Sequence, residues 1–145
     1  MSRKPRPKNE PIMTRAMIAN VVITGIMICV FTLFLFNYGL NESPMKAQTM
    51  AFTSLVVFEV VRVFMIRSQY KIGIFSNKYL ILAISASLGL QILVVYLPLL
   101  GVLNVFHTTP LMMVDWMYIL FTTALMLVIG LTAAKIVSRV TQQHD

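Results

Sequence analysis

A chain of 145 residues that is 58% hydrophobic and only 12% charged, with a mean hydropathy of +0.81, is not a soluble domain, which at this size carries roughly 25% charge. Its net charge of +7 comes from basic residues between long apolar runs, where they set membrane topology, so no nucleic-acid partner is expected. A single cysteine, Cys29, excludes a disulfide framework and a thiolate metal cluster within one chain.

Residues 1–15 form a basic, proline-containing leader with Arg3, Lys4, Arg6, Lys8 and Arg15, too polar for the core of a signal peptide and suited to a membrane surface. The first span runs over 16–36 without a formal charge, with Asn20 and Thr24 sharing a face that turns toward other helices. A turn-rich connector, Asn37 to Lys46, joins it to an antiparallel second span over 47–66. The third span covers 79–98, opened by cap material at Ser76 and Asn77 and closed by Pro98. Within it Ser85 and Gly89 form a small-x-x-x-small pair that admits a close helix neighbour, and Gln91 needs an interhelical hydrogen bond. Asp115 is expected as an N-cap, with Trp116 and Tyr118 as interfacial anchors, for a fourth span over 117–134, followed by a polar tail over 135–145.

The expected fold class is therefore all-α: a polytopic four-helix transmembrane bundle in a lipid bilayer. Lys and Arg number five in the leader, three in the second connector and two after the last span, against Lys46 alone on the other side. That asymmetry places both termini in the cytoplasm.

The second span carries the chemistry. Glu59 and Arg62 lie inside an oily segment long enough to cross the hydrocarbon core, on a stripe with Gln48 and Leu55. Two charges near a helix centre cost roughly 5 to 7 kcal/mol, while the ten Leu, Ile, Phe and Val residues of the run return roughly 3 to 6. Such a helix inserts marginally alone and requires neighbours that pair or hydrate its charges. Two alternatives stand for Glu59. It is a cation ligand, which needs further oxygens from other helices, or it is the partner of Arg62 at i+3 in a buried structural pair. Phosphate loops, His-Glu-x-x-His, paired cysteines and Ser-His-Asp sets are absent from the sequence, and no catalytic residue or bound cofactor is expected. His107 and His144 fall on opposite sides of the membrane, and the methionines are core filling.

Four stretches, KPRPKNEPIM, TSLVVFEVVRVFMIRS, SNKYLILAISASLGLQILVVYLPLL and TTPLMMVDWMYIL, occur in an order that resembles the C-terminal membrane region, the last four of ten helices, of P-type cation-transporting ATPases, calcium-pump branch. The resemblance implies a transported cation, calcium, with Glu59 at the position of an acidic cation-site residue. The family commonly has Asn or Asp where this chain has Arg62, a departure by which the guanidinium would replace a cation, lower the stoichiometry or abolish binding. It also implies partners: the N-terminal catalytic and transport helices, with domains that bind ATP and magnesium and an Asp-Lys-Thr-Gly phosphorylation motif that this sequence lacks. A detached piece, a truncated gene and a start assigned at an internal Met all fit that lack. The implied location is the plasma membrane. The rival expectations are a stand-alone structural or regulatory four-helix membrane protein and an oligomeric channel around Glu59.

Overall fold

The computed structural model describes residues 15–69, 73, 76–97 and 107–142, so the leader before Arg15, Pro98 and His144 lie outside the described residues. Its four helices are α1 (Arg15–Leu40), α2 (Pro44–Gln69), α3 (Lys78–Tyr96) and α4 (Met113–Gln142). Each is long and apolar enough to cross a membrane, and no strand occurs among the described residues. Helices are the form a span must take here, because in lipid every backbone polar group has to be satisfied within its own segment.

Several helix boundaries differ from the expected spans: α1 runs on to Leu40, α2 runs on to Gln69, and three others shift as well. First, α2 begins at Pro44, ahead of the predicted 47, because the Ser43 hydroxyl accepts the Lys46 N–H at 3.1 Å as an N-cap and proline at the first helical position costs no hydrogen bond. Second, α4 begins at Met113, four residues ahead of the predicted Met117. Asp115 is then not its N-cap but sits in the first turn, where Oδ2 reaches back to accept the Met112 N–H at 2.7 Å. Third, α4 continues to Gln142, so the predicted tail from 135 is largely helical. At α3, Asn77 does act as the expected cap, its Oδ1 accepting from the N–H groups of Tyr79 (3.0 Å) and Leu80 (3.3 Å).

The helices run up and down, and α2 is central. It packs against all three others, α1 also packs against α4, and among the described residues α3 packs along α2 and reaches α4 only at its end, through Tyr96. The α1–α2 turn is tight: a Cβ on Gly39 would stand 2.6 Å from the Cα of Ala47 and 2.8 Å from its nitrogen. Leu35, Met50, Phe58, Ile119 and Met126 fill the core. Two hydroxyls buried with them donate within their own helix, Thr49 to Met45 O (2.9 Å) and Thr123 to Ile119 O (2.6 Å), the arrangement that lets threonine sit inside a span. Gln91 makes its expected interhelical bond, donating to Thr53 Oγ1 at 2.8 Å. Among the described residues no helix takes the place of the expected neighbour at Gly89, where a Cβ would meet nothing within 4 Å.

Candidate functional site

Glu59 lies fifteen residues beyond Pro44 and ten before Gln69, so it sits past the middle of α2 toward its C-terminal end. Its side chain is 55% exposed and lines an open groove of about 380 Å³ between α2 and α3, with Leu55, Val56, Val60, Val63, Ala83, Ile84 and Ser87. The groove is apolar apart from the Glu59 carboxylate and the Ser87 hydroxyl. Arg62, 29% exposed, stands one turn on, with Nη1 3.4 Å from both carboxylate oxygens. That distance is long for a charge-assisted hydrogen bond, which settles near 2.7 to 2.9 Å.

The predicted stripe of Gln48, Leu55, Glu59 and Arg62 does not serve one space. Leu55 and Glu59 face the α2/α3 groove, and Gln48 faces a separate recess with Ser43, Met45 and His107. Arg62 also lines a small cavity between α1 and α2 with Asn20, Thr24 and Gln69. The expected inward face of Asn20 and Thr24 is thus where the far side of the guanidinium lies, and the ion pair bridges two openings on either flank of α2. No three His, Cys, Asp or Glu side chains come together as a metal-holding group among the described residues. The groove offers a hard cation one carboxylate and one hydroxyl, and such an ion takes 6 to 8 oxygens, so any site here is shared with other helices.

Sequence reasoning missed a second charged cluster at the opposite end of the bundle. Lys46 Nζ lies 2.9 Å from Asp115 Oδ1 and 2.6 Å from Glu42 Oε1, with the Lys46 side chain 8% exposed and that of Asp115 1%. Beside it the rings of Tyr38 and Tyr118 stand 4.3 Å apart, and Trp116 Nε1 donates to Tyr96 Oη at 2.9 Å. Trp116 and Tyr118, expected as interfacial anchors, both belong to this cluster, Trp116 half-buried and Tyr118 exposed. The available signal was a tally: Glu42, Lys46 and Asp115 are the three formally charged residues of the two Lys-poor connectors.

These features define a multi-pass helical membrane protein with an acidic group in a groove between two spans. Residues 1–136 match the family model described as "Cation transporting ATPase, C-terminus", and the chain belongs to that family. It is 34% identical over 131 residues to the "Calcium-transporting ATPase" of Bacillus subtilis, an alignment covering 86% of this chain and 14% of that protein. It is 33% identical over 102 residues to "Calcium-transporting ATPase 1" of Schizosaccharomyces pombe (66% and 11%), and 29% identical over 149 residues to "Calcium-transporting ATPase type 2C member 1" of Homo sapiens (99% and 16%). The chain therefore spans between about a tenth and a sixth of the length of these relatives.

Proposed function

We propose that this chain is the C-terminal membrane part of a P-type pump that moves calcium, and that Glu59 contributes a carboxylate to a cation site completed by helices outside this chain. The observation that carries this reading is the placement of Glu59. A carboxylate in an apolar span opens half-exposed onto a groove, with its nearest cation held loosely at 3.4 Å. A charge inside a membrane span is a functional group by default, and calcium takes oxygen ligands. The names of the relatives supply the ion.

The rival reading, a structural Glu59–Arg62 pair, has less in its favour. The two residues belong to the same helix, so their pair ties α2 to no other element. Arg62 is instead a neighbouring positive charge that opposes cation entry, through Coulomb repulsion that grows as water leaves the site. With both termini in the cytoplasm, the Arg67–Lys78 connector also faces the cytoplasm. Lys46, the exception to the charge asymmetry, is neutralised by Asp115 and Glu42. ATP and magnesium belong to the parts of the pump beyond this chain, and the pump sits in the plasma membrane.

The test is calcium-dependent phosphorylation of the assembled pump. Glu59→Gln is expected to raise the half-saturating calcium concentration at least tenfold, and wild-type titration of that variant overturns the assignment.

A further inference from the structure

The buried Lys46–Asp115 pair has no part in the cation site, yet it joins α2 to α4 through two nearly fully buried charges. Asp115 spends one oxygen on the Met112 N–H (2.7 Å) at the start of α4 and the other on Lys46 Nζ (2.9 Å). Lys46 lies in the first turn of α2, where the backbone of Lys46 and Ala47 is pressed against Gly39 of α1. We infer that this pair sets the depth and rotation of α2 against α4 and thereby positions Glu59 in its groove, an inference that rests on the cation-ligand reading of Glu59.

The argument is one of selectivity among packings. Along most of its length α2 meets α1 and α4 through apolar side chains such as Met50, Phe58 and Met65. In lipid there is no hydrophobic drive between helices, so a slide by one turn, about 5.4 Å, exchanges one set of dispersion contacts for a similar set. The charge pair does not tolerate that exchange, because the same slide separates Nζ from Oδ1 and leaves Asp115 buried and alone. Thirteen residues separate Lys46 from Glu59, with no proline or glycine among them, so α2 transmits rotation and depth over about 20 Å as a rigid rod. A rotation of one residue step, about 100°, would turn Glu59 out of the α2/α3 groove. Well-packed apolar residues commonly replace buried ion pairs without loss of stability, so a role in specifying one register suits this pair better than a role in holding the bundle together.

The experiment is the same phosphorylation titration on the assembled pump, reading maximal phosphoenzyme and half-saturating calcium separately. Lys46→Met combined with Asp115→Asn removes both charges and keeps an acceptor for the Met112 N–H. The expected result is near-normal maximal phosphoenzyme with half-saturating calcium raised about fivefold or more, and an unchanged half-saturation overturns the inference. Lys46→Arg, which keeps the charge but shifts its centre, is expected to give a smaller rise; should the double variant fail to accumulate, wild-type titration of Lys46→Arg overturns it. Glu42→Gln leaves the buried pair intact and is expected to titrate as wild type, and a shift equal to that of the double variant also overturns it. If Glu59→Gln titrates as wild type, the cation-ligand reading falls and takes this inference with it. If Glu59→Gln shifts and the double variant does not, the positioning role alone falls.

Discussion

The two ends of the bundle are built on opposite principles. At the end where α2 begins, every helix contributes to one network: Tyr38 from α1, Lys46 from α2, Tyr96 from α3, and Asp115 and Trp116 from α4. The Lys46 and Asp115 side chains there are buried and paired in charge at 2.9 Å. Toward the other end Glu59 and Arg62 flank openings on either side of α2, and their charges, 55% and 29% exposed, are loosely joined at 3.4 Å. On the proposed cation-site reading, the difference means that α2 has a fixed end, which defines where Glu59 stands, and a looser one, which leaves its carboxylate open to a cation.

Perturbations of the purified chain, followed by chemical denaturation in detergent micelles, test this contrast. The largest effect is expected at the fixed end: Lys46→Met alone strands the Asp115 carboxylate and should destabilise by about 3 to 5 kcal/mol. Next is Gly39→Ala, whose new methyl meets the backbone of Ala47 rather than a yielding side chain, with an expected loss of roughly 1 to 3 kcal/mol. Thr53→Val removes the acceptor of the Gln91 amide between α2 and α3, and interhelical bonds of this kind are worth about 0.6 kcal/mol, up to about 1.7. The smallest effect is expected at the free end, where Arg62→Ala should change stability by less than about 1 kcal/mol, since its pair is exposed and confined to one helix. If Arg62→Ala proved as damaging as Lys46→Met, the contrast between the ends would be lost.

The sequence spoke clearly wherever one residue's environment determined the outcome. Four uncharged or nearly uncharged runs of spanning length could only be helices, and a lone Gln91 in an oily helix had to find a partner, which proved to be Thr53. Glu59 stood out because its cost in the membrane can be counted from composition alone. Boundaries were harder. Ser43-Pro44 is a good helix start, but it lies in a stretch whose Asn and Gly content reads equally well as a turn. Pairings between distant segments were harder still. Asp115 was read by its local role as a cap, although its carboxylate serves a first-turn N–H and a lysine two helices away at once. The Ser85–Gly89 pair likewise says that a neighbour can come close without naming it, and among the described residues nothing comes within 4 Å of a Cβ at Gly89.

The unequal lengths of the helices bear on the surrounding lipid. At 26, 26 and 30 residues α1, α2 and α4 are rods of about 39 to 45 Å, whereas the 19 residues of α3 make about 28 Å. Against a hydrocarbon slab of about 30 Å the three long rods must lean or protrude, while α3 matches its thickness almost upright. Because α3, among the described residues, packs along α2 and touches α4 only through Tyr96, thickening the bilayer is expected to strain the α2–α3 seam first. The width of the groove that holds Glu59 is thereby coupled to the composition of the membrane around it.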